Sequence, residues 1–159
     1  MDASRQTRRE FCVHTCQMLS TVAIGGALAT ILQSCNNSNP VSPNGGNIST
    51  IQGSAVNGLI TLGIDTNSPL SAVGSVVLLK YANGILLVAH ISVDSFVALS
   101  GICTHQGCTI TSYSSQLFTC LCHGSEFNTG GQVVRGPASS PLAQFPTQYA
   151  NNTLTITVG

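Results

Sequence analysis

Two short runs concentrate the reactive side chains of this chain: Cys103-Thr104-His105-Gln106-Gly107-Cys108 and Cys120-Leu121-Cys122-His123-Gly124-Ser125. Each offers a thiolate and an imidazole within a few residues, so a tight loop can aim a soft sulfur donor and a nitrogen donor at one metal centre. Three chemistries use such a set. An iron-sulfur centre accepts mixed thiolate and imidazole ligation. A structural zinc suits two sulfurs and two nitrogens in a tetrahedron, but would leave two cysteines beside the site without a role. Two structural disulfides would consume all four thiols and make the histidines incidental.

On these two runs the chain resembles the cluster-binding loops of Rieske iron-sulfur proteins. The resemblance implies one 2Fe-2S cluster per chain, with Cys103 and Cys120 on the inner iron and His105 and His123 on the outer one. It also implies a disulfide between the remaining pair, Cys108 and Cys122, clamping the two loops together. Rieske subunits of quinol:cytochrome c oxidoreductases carry such a bond, whereas Rieske ferredoxins and ring-hydroxylating oxygenases usually lack the two extra cysteines. The chain therefore looks like the respiratory type.

Neutral imidazoles in place of two thiolates lower the negative charge on such a centre and raise its potential to roughly −150 to +300 mV. Hydrogen bonds to the cluster sulfurs raise it further. Ser125 matches the family serine whose hydroxyl donates to a bridging sulfide. Two residues on, respiratory members usually have a tyrosine; here Phe127 has no hydroxyl, which implies a lower potential, nearer the needs of a menaquinol chain. The resemblance also implies that His105 and His123 link proton affinity to electron affinity at the surface. Gln106 stands where many quinol-oxidising members have leucine. The stretch Gly136-Pro137-Ala138-Ser139-Ser140-Pro141 is similar to the proline-rich loop that shields the cluster in respiratory members.

The function implied is one-electron transfer as the iron-sulfur subunit of a membrane quinol-oxidising complex, between quinol or a cytochrome b-type subunit and a cytochrome c or copper-protein acceptor. The alternative is a stand-alone, membrane-tethered Rieske carrier serving another exported oxidoreductase. In neither case does the sequence offer catalytic residues, a substrate pocket or a mononuclear iron site, so the chain is expected to act as a component rather than alone. His90 and His14 are expected to be neither ligands nor catalysts, and the spacing of Cys12 and Cys16 fits neither loop.

The N-terminus, Ser4-Arg5-Gln6-Thr7-Arg8-Arg9-Glu10-Phe11 followed by an interrupted apolar stretch, resembles a twin-arginine export signal. No Asp, Glu, Lys or Arg follows Glu10 until Asp65. Leu32-Gln33-Ser34-Cys35 resembles a lipoprotein box with Cys35 as the acylated residue, although Gln33 is not favoured there. An uncleaved anchor over residues 11–32 is the other reading, since such a helix is long enough to span a bilayer core. Both place the domain at a bacterial membrane on its periplasmic or extracytoplasmic side. That agrees with a disulfide, which persists in oxidising compartments. A cluster built inside the cell would have to be exported in an already folded protein, and twin-arginine export resembles the route for that.

The elements that must hold these loops follow from composition. Residues 1–34 form the signal or anchor, and residues 35–52, rich in Asn, Ser, Pro and Gly, read as a flexible tether. Residues 53–159 are long enough for one compact domain. With only Lys80 and Arg135 as bases against Asp65, Asp94 and Glu126, that domain has no basic patch for nucleic acid and little means of electrostatic steering. Short β-branched runs bounded by turn residues predict an all-β, antiparallel domain. Strands are expected over 56–62, 73–81, 85–92, 95–100, 109–113, 116–119, 132–134, 143–148 and 153–158. Asn83-Gly84, Val93-Asp94-Ser95 and Asn151-Asn152 are the expected turns. The resemblance makes this a Rieske fold: an antiparallel β-sandwich base with a small inserted cluster-binding lobe at about 102–128. A lobe of that size is expected to depend on the cluster and the disulfide rather than on a core of its own.

Overall fold

The computed structural model describes residues 46–159, all within the second of the two units into which the chain divides, Ser38–Gly159. In chain order the strands are β1 (Gly46–Asn47), β2 (Ser49–Gln52), β3 (Ala55–Val56), β4 (Leu59–Gly63), β5 (Val76–Tyr81), β6 (Gly84–Ser92) and β7 (Ser95–Ser100). They continue with β8 (Ser112–Ser114), β9 (Leu117–Cys120), β10 (Ser125–Asn128), β11 (Val133–Arg135), β12 (Gln144–Phe145), β13 (Thr147–Ala150) and β14 (Thr153–Thr157). Among the described residues there is no helix.

Three sheets result, with strand orders β12-β7-β6-β5-β2, β13-β14-β4-β3 and β1-β8-β9-β10-β11. The first is the central one. Its strands β5, β6 and β7 read as nearly unbroken apolar runs because both of their faces are buried, where a half-exposed strand would alternate with polar residues. Side chains in a strand point alternately to opposite faces, and the packing follows that period. Val77, Leu79, Leu86 and Val88 pack in one cluster with Ile60, Leu154 and Ile156 of the second sheet. Val76, Leu78, Leu87 and Ala89 pack in another with Ile110, Phe118, Phe127 and the sulfurs of Cys103 and Cys120.

The expected base and inserted lobe are thus present, with one correction to the energetics. The lobe does not rest on cofactor and disulfide alone: Phe118 and Phe127 are wholly buried and share a core with the central sheet. Burying a side chain of that size removes about 1.5–3 kcal/mol worth of apolar surface from water.

Several local readings also shift. Residues 46–52 belong to the folded domain and not to a tether, since β1 pairs with β8 and β2 pairs with β5. The second pairing is parallel, the one departure from an otherwise antiparallel set. The hairpin near Asn83 exists, but Gly84 pairs with Tyr81, so the turn residues are Ala82 and Asn83. Left-handed backbone is used instead at Asn57-Gly58, Asp94, Ser115-Gln116 and Asn151-Asn152. The predicted strand over 56–62 is a hairpin, folded at Asn57-Gly58.

Candidate metal centre

The two reactive runs become two similar turns, the first leaving the central sheet after β7 and the second joining two strands of the third sheet. The first follows β7. Gly101 donates to the Ile85 carbonyl at 2.8 Å, and Ile110 returns a bond to the Gly101 carbonyl at 2.9 Å, closing the loop onto β6. The approach leaves no room for a side chain: a Cβ at Gly101 would stand 2.8 Å from Ile85 Cγ2 and 3.1 Å from the Ile85 carbonyl oxygen. Within the loop, Gly107 donates to the Cys103 carbonyl at 3.0 Å and Cys103 donates to the Cys108 carbonyl at 2.8 Å.

The second loop joins β9 to β10 and repeats the device, with Gly124 donating to the Cys120 carbonyl at 2.9 Å. Gly107 and Gly124 have φ of 75° and 77°, a left-handed conformation that suits glycine. In each loop, therefore, the carbonyl of a buried cysteine is capped by a left-handed glycine four residues on, and a histidine lies between the two.

This arrangement sorts the side chains by depth. Cys103 and Cys120 are free thiols, 2% and 1% exposed, buried in the same core cluster. Burial, and then the neighbouring Cys103, push the Cys120 thiol up from its usual pKa. Two adjacent thiolates in so dry a place repel one another, and a cationic centre between them would relieve that cost. His105 and His123 lie further out, the former partly buried and the latter exposed, their rings meeting edge to face with centroids 4.9 Å apart. His105 Nδ1 is buried without a hydrogen-bond partner. A ring nitrogen with no protein partner, beside two buried thiols, suits a metal ligand.

Cys108 and Cys122 are joined by a disulfide, as the resemblance implied. The sulfurs of Cys108, Cys120 and Cys122 lie within 4.8 Å of one another, but the bonded pair offers no thiolate, so these three do not form a site.

Ser125, the first residue of β10, faces Cys120 across the β9–β10 pair and is fully buried. Its Oγ accepts a hydrogen bond from the Ala138 amide at 3.0 Å. Ala138 lies in the 136–142 segment, which crosses both loops, and the Thr104 hydroxyl donates to the Ser140 carbonyl of that segment at 2.6 Å. The sequence pattern pointed to this segment as a shield but not to Thr104 or Ala138 as its attachments. Thr104 and Ser140 are 36 residues apart, too far for any local motif to pair them. Gln106 is exposed beside the first loop.

His90 is structural. Its Nδ1 is bonded to the Leu70 carbonyl at 2.9 Å, and its ring stacks on Phe96 at 4.2 Å, in the core cluster away from the cysteines. Cys12, His14, Cys16, the proposed acylation at Cys35 and the signal itself lie outside the described residues.

Comparison with known proteins agrees with this geometry. The cytochrome b6-f complex iron-sulfur subunit of Prochlorococcus marinus (strain MIT 9301) is 44% identical over 59 residues, covering 36% of this chain and 33% of the relative. The corresponding subunit of Microcystis aeruginosa is 48% identical over 46 residues, covering 28% and 26%. The chain thus spans about a third or less of the length of these curated relatives. A solved complex of reduced oxygenase and oxidised ferredoxin in carbazole 1,9a-dioxygenase aligns at TM-score 0.50 and 21% identity over 61% of this chain and 92% of that one, a likeness of fold alone. The family model described as "Rieske [2Fe-2S] domain" matches residues 69–146, over both loops and the sheet that carries them. This chain carries a Rieske [2Fe-2S] domain, with a Rieske-type 2Fe-2S cluster as its cofactor.

Proposed function

We propose that this chain transfers single electrons as the iron-sulfur subunit of a membrane quinol-oxidising complex, with its cluster held by Cys103, Cys120, His105 and His123. The observation that carries the ligand assignment is the depth ordering: two buried free thiols in one core cluster, with two imidazoles outside them and an unpartnered nitrogen on His105. Bound there, a Rieske cluster takes up and gives back one electron, at a potential its imidazole ligands lift well above that of an all-thiolate site.

The protein supplies position, dryness and a contact surface. Cys103 and Cys120 hold from below, where water is excluded. His105 and His123 hold from the outer side and bring the site within reach of a partner. The Cys108–Cys122 bond keeps the two loops at a fixed separation. Leu121 and Ile102 expose apolar surface beside the histidines, suited to docking without charge.

The disulfide and the cytochrome b6-f relatives support the complex-subunit reading, with a cytochrome b-type donor side and a cytochrome c or copper-protein acceptor. Exposed Gln106 and buried Phe127 favour the stand-alone tethered carrier instead. Among the described residues no helix is long and apolar enough to cross a membrane. The reading therefore assigns attachment to residues 1–35, by twin-arginine export with lipidation at Cys35 or by a retained anchor, on the extracytoplasmic side.

Protein isolated gently from its host should contain iron and acid-labile sulfide and give the rhombic, low-average-g resonance of a histidine-ligated cluster when reduced. That signal should vanish in His105→Ala and in His123→Ala. Zinc in place of iron would refute the assignment. Co-purification with a cytochrome b-type subunit decides for the complex; its absence from solubilised membranes decides for the carrier.

A further inference from the structure

The buried hydroxyl of Ser125 makes one bond too few. A serine hydroxyl has one hydrogen to donate and two lone pairs to accept with. In Ser125 a lone pair is taken by the Ala138 amide, 3.0 Å away, and among the described residues no protein acceptor receives the hydrogen. Ser125 has no exposed surface, so water does not take it either. A buried donor left unpaired is costly, which points to an acceptor that the protein itself does not provide.

The direction of that hydrogen follows from the neighbours. Ser125 and Cys120 stand directly opposite in an antiparallel pair, so their side chains share a face with Cβ atoms about 4.5–5.5 Å apart. On the side of the 136–142 segment, a strap bonded to Thr104 of the first loop, the Ala138 N–H presents a donor, and a donor cannot receive another hydrogen. The Oγ–H is therefore turned away from residue 138.

We propose that the Ala138 amide is a positioning group: by occupying one lone pair of Ser125 Oγ it fixes the hydroxyl rotor with its hydrogen toward the sulfurs around Cys120, and so tunes the redox potential of the site. This rests on the ligand assignment above. The amide is itself held from both sides. The Thr104 hydroxyl pins Ser140 at 2.6 Å, Leu142 donates to the Gly131 carbonyl at 2.9 Å, and the Ala138 and Leu142 side chains are buried in the core cluster that contains both thiols. Strap placement is thereby converted into a hydrogen-bond direction at the site.

The test is a double-mutant cycle read by redox titration of the resonance of the reduced, fully loaded protein. Ser125→Ala should lower the midpoint potential. Ala138→Pro, which replaces the amide hydrogen by the ring Cδ and so removes the donor to Ser125 Oγ, should lower it by a comparable amount when Ser125 is present and by nothing in the Ser125→Ala background. Equal falls in both backgrounds, or none in either, would overturn the proposal, because a purely structural strap would not act through the serine. Because the proline ring also presses on Ser125, Thr104→Val, which loosens the strap from the other loop without touching the serine, must show the same dependence on Ser125; a fall that persists in the Ser125→Ala background would overturn the proposal. A wild-type protein without the Rieske signal sinks the ligand assignment as well, whereas a normal signal with unchanged potentials sinks only the role of Ala138.

Discussion

Phe127 lies directly across the β9–β10 pair from Phe118, both without exposed surface, on the same strand face as Ser125 and Cys120 two pairs further along. The two rings form the floor on which the second loop stands, and they join that loop to the core of the central sheet.

Two outcomes follow for this floor. Phe118→Ala should cost about 3–5 kcal/mol, the usual range for a deleted core ring, measured as a shift in the chemical denaturation midpoint. Phe127→Tyr adds a hydroxyl at the place where respiratory Rieske proteins usually carry one, on the face shared with Cys120. The midpoint potential should rise; an unchanged potential in a variant that retains its cluster would discard the view that the missing hydroxyl keeps it low.

The Cys108–Cys122 disulfide closes a separation of 14 residues, for which the chain-entropy model gives roughly 3 kcal/mol. Since the lobe also shares the core of the base, the Cys108→Ser/Cys122→Ser pair should lose the histidine-ligated resonance on mild warming while the far-ultraviolet signature of the sheets persists. Simultaneous loss of both would mean that the bond holds the whole domain and not the loops alone.

Gly101→Val should be severe for a different reason. Even the first carbon of its side chain would press on Ile85 Cγ2 and on the Ile85 carbonyl, at the point where the first loop leaves the sheet. Overpacking of this kind typically costs about 1–3 kcal/mol. Iron content per folded protein should fall along with thermal stability, because the same contact sets the height of Cys103.

Charge plays little part in any encounter of the described domain. Glu126 is paired with Arg135 at 3.5 Å, and the other charged side chains among the described residues are Lys80, Asp65 and Asp94. Electron transfer to a soluble acceptor, followed by stopped-flow absorbance, should change less than about two-fold between low and physiological salt if docking is apolar. A steep salt dependence would point to steering by the partner's charges onto those few groups.

The site was more legible than the scaffold. Cys103, His105, Cys120 and His123, the proposed ligands, stand out because their residue types fall within two short runs, and the turn glycines lie within the same runs. The apolar strings of β5, β6 and β7 correctly indicated strands, and their lack of alternation is explained by a sheet covered on both sides. What escaped were relations across sequence distance. Nothing near Ser49–Gln52 indicates that this polar stretch adds to the sheet beside β5, since its pairing is through backbone groups common to every residue. Asn83-Gly84 carried the composition of a left-handed turn, yet the register with β5 places Gly84 in the strand. The hydroxyl of Thr104 is bonded to a backbone carbonyl, which leaves no mark on the side chain at position 140.

β1 belongs to the lobe sheet and β2 to the central sheet, and Ile48 alone separates them. The chain therefore stitches two layers together within the seven residues Gly46–Gln52. A load entering at Gly46 meets β8, and through it the hairpin leading to the second loop, before it meets β5 of the central sheet.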